Sequence, residues 1–235
     1  MADPVAVITG GTGGLGSAVV KRLAEGGFQL AVTYIVPEEG AALEESMGLS
    51  EDRLMLRRVD VSDPEAVSDF FKQAVATFSS INVACSLVGG WAGGRDVEET
   101  DDVRFERMID LNLRSAFYTA RAALPHLRDS EWGRLILVGS RAGFEAPSGQ
   151  AAYNIAKAGV VALTKTVANE VRDTNVTANA VIPAFMDTAS SREAMPFGDF
   201  IDWPKPDEIA AVVEFLASPG SAVINGAAIP TYGKV

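Results

Sequence analysis

Short apolar runs rich in Val, Ile and Leu alternate with longer segments of helical period through nearly the whole chain. That is the pattern of a parallel sheet covered on both faces by helices. The short runs predict strands over 5–9, 30–34, 54–59, 83–88, 134–139, 176–182 and 227–231. The periodic segments predict helices over 16–25, 64–78, 102–127, 150–172 and 206–217. Pro64 and Pro206 fall where a first-turn proline is tolerated, each close to an Asp or Ser able to cap. Seven strands fit one doubly wound α/β sheet. No internal repeat, low-complexity tract or Pro-rich linker marks a boundary, so residues 1–235 are expected to form a single domain.

Composition narrows the possible partners. With 235 residues and 48% hydrophobic content, the chain can bury one large core. The one uncharged run approaching membrane-span length, 76–94, is broken by Ser79, Ser80, Asn82 and a cluster of glycines, and reads as a strand with its loops. The opening MADPVAVITG has no basic region before its apolar residues, so no secretory signal is expected and a cytoplasmic location is the default. A formal charge of −11 argues against nucleic acid or an anionic membrane and points to a small-molecule partner. Cys85, the one cysteine, excludes an intrachain disulfide and reads as a small buried hydrophobe. His126, the one histidine, excludes a multi-histidine metal site and leaves proton chemistry to other residues.

Two stretches carry chemistry. The first strand ends in TGGTGGLG, Thr9 to Gly16, directly before a helix. Glycines there let the backbone approach a pyrophosphate, and the amides at the helix start favour its charge. The second is Tyr153-Asn154-Ile155-Ala156-Lys157, where helical spacing puts phenol and ammonium on one face. A phenol with a solution pKa of about 10 needs help to act near neutrality, and a neighbouring cation gives it. Ser140 ends the strand GRLILVGS, so its hydroxyl meets the start of that helix at the sheet's carboxyl edge, where open α/β sheets bind ligands.

The ordered set of these motifs resembles the short-chain dehydrogenase/reductase family over essentially the whole chain. Gly10, Gly14 and Gly16 occupy that family's glycine positions, with Asp60-Val61, Asn112, Ser140, Tyr153, Lys157, the segment Asn179 to Ala184, and Thr188 in register. The resemblance implies a Rossmann-like, NAD(P)-dependent oxidoreductase. Tyr153 is then the general acid or base, Ser140 orients the substrate carbonyl, and Lys157 lowers the tyrosine pKa and holds the nicotinamide ribose. Asn112 supports a water relay. The cofactor contacts it implies are Gly10, Thr12, Gly13, Gly14, Leu15, Gly16, Tyr34, Asp60, Val61, Gly89, Tyr153, Lys157, Pro183 and Thr188. No metal is implied, and homodimers or homotetramers are.

Departures from the family pattern shape the remaining expectations. The position expected to hold a ribose-binding acid for NAD is Tyr34, which has no carboxylate. Against NADP stand the absence of Lys or Arg between Thr33 and Glu45, and Gly13 where NADP users often carry Arg. NAD is favoured, with NADP or dual use open. Ser86-Leu87-Val88-Gly89 replaces the usual Asn-Asn-Ala-Gly and runs into Gly90-Trp91-Ala92-Gly93-Gly94. That GGWAGG stretch is similar to quinonoid dihydropteridine reductases, so a planar pteridine stands as an alternative substrate to a small carbonyl or alcohol. Trp91 either faces the substrate or plugs the loop, and Phe185 is a second candidate substrate contact. After Thr188 a short lid over about 188–205 draws its apolar area from Phe197, Phe200 and Trp203. A non-catalytic dinucleotide sensor is the alternative of another class, against which Tyr153 and Lys157 both argue.

Overall fold

The apolar runs lie side by side. The computed structural model describes residues 3–234 apart from Phe197 and Asp199. Its strands are β1 (Val5–Thr9), β2 (Gln29–Tyr34), β3 (Leu54–Arg58), β4 (Val83–Ser86), β5 (Gly133–Val138), β6 (Val176–Pro183) and β7 (Ala228–Thr231). All pair in parallel, in the order β3-β2-β1-β4-β5-β6-β7. The order reverses between β1 and β4, and the crevice at their carboxyl ends is where such a sheet receives a ligand.

Strand residues alternate between two cores. Val5 and Val7 of β1 face a layer containing Phe70 and Phe71 of α3 (Pro64–Phe78), Ala116 and Ala120 of α5 (Ser115–Asp129), and Val160 of α7 (Ala151–Glu170). Ala6 and Ile8 face the other layer, with Val19 and Leu23 of α1 (Gly14–Glu25), Leu43 of α2 (Pro37–Met47), and Ile209 and Val213 of α9 (Pro206–Leu216). Because both faces are covered, the central strands are buried along their length and mostly apolar, rather than apolar at every second position. Arg22 of α1 ties the second layer together, donating to Asp207 at 2.8 Å and to Glu214 at 3.0 Å on α9. Asp63 caps α3 by accepting from the amides of Glu65 and Ala66, with Pro64 in the first turn.

The chain differs from the sequence expectation in several places. Helix α2 was not expected: Pro-Glu-Glu-Gly opens it, and only Gly40 and Leu43 are buried, so no apolar stripe marks it. Its signs are the first-turn Pro37 and the left-handed Gly48 that ends it at φ 57°. The helix expected over 102–127 is two, α4 (Asp102–Ile109) and α5, joined by one wider π-type turn at Asp110–Arg114. Strand β4 stops at Ser86, two residues before the expected end, and two short helices, α6 (Ala142–Glu145) and α8 (Ala189–Ala194), flank the site. Phe197, expected in the lid, lies outside the described residues.

Candidate active site

The glycine loop is packed so closely at Gly10 and Gly16 that no side chain fits there. Gly10 has φ +78°, and a Cβ at Gly16 would stand 2.1 Å from the carbonyl oxygen of Gly10. Loop and β2 are stitched together by Gly10 N–H donating to Thr33 Oγ1 at 3.1 Å and Gly11 N–H to the Thr33 carbonyl at 3.1 Å. The start of α1 has no side-chain cap and no acid in its first turn, which leaves its amides and dipole for an external anion. The residues present therefore fit a dinucleotide pyrophosphate. Thr188 closes on this loop, for a Cβ at Gly14 would meet its Cγ2 at 2.8 Å. Pro183, the last residue of β6, accepts from the Arg141 amide at 2.9 Å beside Ser140.

The end of β2 is less like the expectation. Tyr34 ends β2 with its ring against α2, where a Cβ on Gly40 would meet three ring atoms at 2.8–2.9 Å. Asp60 accepts from the Ser62 amide at 2.9 Å and the Ser62 hydroxyl at 2.6 Å, bonds that hold its carboxyl below the ordinary range. Val61 is buried. Thr12 donates to Glu39 of α2 at 2.9 Å, a carboxylate that the sequence reading did not place here.

Ser140, Tyr153, Lys157 and Asn112 converge under the loop that follows β4. Ser140 and Lys157 are each 4% exposed and Asn112 is 1% exposed. The Lys157 ammonium donates to the Val138 carbonyl at 2.9 Å and lies 5.9 Å from the Tyr153 ring centroid. Burial drives this lysine down to about 8. Burial also pushes the Tyr153 phenol above its ordinary value, and the hydrogen bond with Ser140 opposes that rise. A Cβ on Gly89 would stand 2.9 Å from Asn112 Oδ1 and 3.2 Å from Lys157 Nζ, so only glycine lets the loop pass this close.

The Asn112 amide is spent on the same loop. It accepts from the Gly90 amide at 3.2 Å and donates to the Gly90 carbonyl at 2.9 Å and to the Met108 carbonyl at 3.1 Å. The clasp fixes the next residue, Trp91, whose indole N–H donates to Gln150 Oε1. Gln150 donates in turn to Asn154 at 3.2 Å, and Asn154 to the Pro147 carbonyl at 2.8 Å. A ring that is 54% exposed is not a buried plug. Gln150 and Gly90 were missed by the sequence reading; Gln150 had a signal, being three residues before Tyr153 and so on its side of the helix start. Phe185 stacks on Trp203 with centroids 5.0 Å apart, and the Arg141 guanidinium lies 5.9 Å from its ring centroid. Phe200 meets Trp203 edge-on, and Arg192 covers Phe200, so the described part of the lid is a packed aromatic cluster. Cys85 is fully buried away from this chemistry, and the low dielectric pushes its thiol up to about 12.

The family model that matches, short chain dehydrogenase, spans residues 4–197. A 3-oxoacyl-[acyl-carrier-protein] reductase, MabA, from Mycobacterium tuberculosis is 34% identical, with 97% of this chain and 90% of that protein covered. A D-beta-hydroxybutyrate dehydrogenase from Cupriavidus necator is 31% identical over 94% of this chain and 93% of its own length. Among solved structures, a dehydrogenase/reductase from Sinorhizobium meliloti superposes with a TM-score of 0.88 at 29% identity, covering 100% of this chain and 95% of that one.

Proposed function

The chain belongs to the short-chain dehydrogenase family and is an NAD(P)-dependent oxidoreductase, and from that premise we propose that Ser140, Tyr153 and Lys157 interconvert a small ketone and its secondary alcohol. The observation that carries the proposal is the buried Lys157, anchored on the Val138 carbonyl with its ammonium 5.9 Å from the Tyr153 ring centroid, together with the buried Ser140 at the same carboxyl edge of the sheet. In the reductive direction Tyr153 gives its proton to the carbonyl oxygen while Ser140 donates a hydrogen bond to the same atom. The nicotinamide, when bound, supplies the hydride to the carbon. Lys157, anchored on the Val138 carbonyl, has further protons for the ribose hydroxyls. Asn112 holds Gly90 and so keeps the loop against Lys157.

The names of the two relatives share an oxygen function on the third carbon of an acyl or acid chain. A 3-oxoacyl thioester and 3-hydroxybutyrate are therefore the first substrates to try, with a quinonoid pteridine as the planar alternative for which the open face of Trp91 speaks. NAD is the proposed cofactor, supported by Gly13 and by the lack of a cation in the residues after β2.

Tyr153→Phe tests the mechanism. Turnover on any accepted substrate is expected to fall by about 100-fold or more, the scale of a lost general acid, while the dinucleotide dissociation constant measured by calorimetry stays within a few-fold. Near-normal turnover would overturn the assignment.

A further inference from the structure

We infer that Glu39 is the cofactor-selecting residue of this chain, placing a negative charge beside the adenosine ribose where a 2′-phosphate would have to sit. The inference rests on the dinucleotide reading above. Strand β2 ends in Tyr34, and the ring that stands there has no carboxylate to bind ribose hydroxyls. Its edge lies instead on Gly40, where any Cβ would come within 2.8–2.9 Å of three ring atoms. This contact draws the first turn of α2 down onto the strand end. Glu39, one residue before Gly40, thereby meets the glycine loop, and its Oε2 accepts from Thr12 Oγ1 at 2.9 Å.

Thr12 lies between Gly10 and Gly14, so this carboxylate stands on the rim of the pyrophosphate cradle. With Oε2 engaged and the side chain exposed, Oε1 is left to accept from a ribose hydroxyl. Among the described residues, no cation lies within 4 Å of Glu39. The two arginines of the neighbouring strand end each give one nitrogen to backbone, Arg57 donating to the Leu56 carbonyl at 2.9 Å and Arg58 to the Ile35 carbonyl at 3.1 Å, and neither pairs with Glu39. A phosphate dianion arriving here meets a carboxylate that it must displace from Thr12, whereas ribose hydroxyls meet an acceptor already oriented. Helix α2 thus restores from outside the strand an acid that the strand itself lacks.

Calorimetric titration of the full chain with NAD⁺ and with NADP⁺ tests this without any substrate. Wild type is expected to bind NAD⁺ at least about tenfold more tightly, and Glu39→Gln to shrink that ratio by about tenfold, chiefly by tightening NADP⁺. Thr12→Val, which keeps the volume and frees the carboxylate, is expected to shrink it less. Glu39 is exposed, so both variants are expected to fold, and their melting curves check it. If NAD⁺ remains equally preferred in Glu39→Gln, the residue does not select and the inference falls while the proposed function stands. If wild type prefers NADP⁺, the inference falls together with the cofactor assignment. If wild type binds neither, the dinucleotide reading itself falls.

Discussion

Lys157 shows what the site costs the fold. An ammonium that is 4% exposed, with a carbonyl rather than a carboxylate as its recorded partner, is driven by burial from its ordinary 10.5 to about 8. In the unfolded chain the same lysine keeps its ordinary value. Between about pH 8 and 10.5 the unfolded state therefore holds the extra proton, and stability rises with pH across that window. Below it both states are protonated, and the folded chain carries the whole penalty, about 3 kcal/mol for a shift of this size. Lys157→Met is accordingly expected to raise the melting temperature at pH 7 while abolishing turnover, with the gain shrinking as pH climbs from 8 to 10.5. Circular dichroism melts at several pH values check it, and a Lys157→Met chain less stable than wild type throughout would refute it. Tyr153, Lys157 and Ser140 were legible in the sequence because helical spacing pairs the first two and because all three stand in register with an ordered set of motifs that resembles a known family; spacing alone would not have singled them out. Glu39 was not, because its contact with Thr12 spans 27 positions and exists only once α2 is laid on Tyr34.

At the scale of elements, the loop after β4 and the wide turn between α4 and α5 form one device. An α-helix through Asp110–Arg114 would not carry the extra residue that the π-type turn holds, and Asn112 sits within it. From there its amide satisfies both polar groups of Gly90. Asn112→Ala leaves both without that partner, a loss of about 1–3 kcal/mol for each that stays buried. The expected outcome is a lower melting temperature together with a raised substrate KM, as Trp91 loses its fixed place. Trp91→Ala separates the two effects: it is expected to raise KM several-fold while leaving dinucleotide affinity within a few-fold, because stacking on an exposed ring contributes about 0.5–1.5 kcal/mol. Unchanged kinetics in Trp91→Ala would remove the ring from the substrate site. Strands were the most legible elements, double burial making the central ones short apolar runs, while β3 with its exposed arginines and the half-covered β7 carry a weaker signal. Helix α2 and the division between α4 and α5 were hidden, the first because it buries so little and the second because a wide turn does not interrupt helical periodicity.

For the whole molecule, the expectation of homo-oligomers turns on which apolar residues of the long helices the core leaves uncovered. Ala116, Ala120, Val160 and Val167 are all core residues. What stays exposed on α4, α5 and α7 is Val103, Phe117 and Ile155, at 80%, 44% and 51%. Light scattering at micromolar concentration is expected to give a dimer or tetramer mass, and Phe117→Glu to shift it toward the monomer. A wild-type monomer would refute the expectation.

The contact between α1 and α9 bears on how the chain is made. Val19 and Leu23 of α1 share a core layer with Ile209 and Val213 of α9, and Arg22 reaches Asp207 and Glu214 on that same helix. A ribosome therefore synthesises the first helix long before the one that covers it. Through most of translation, α1 carries an uncovered apolar stripe and an arginine without its carboxylates. A nascent chain halted before residue 206 displays that stripe to chaperones and proteases, and only the emergence of α9 lets the two helices close on each other.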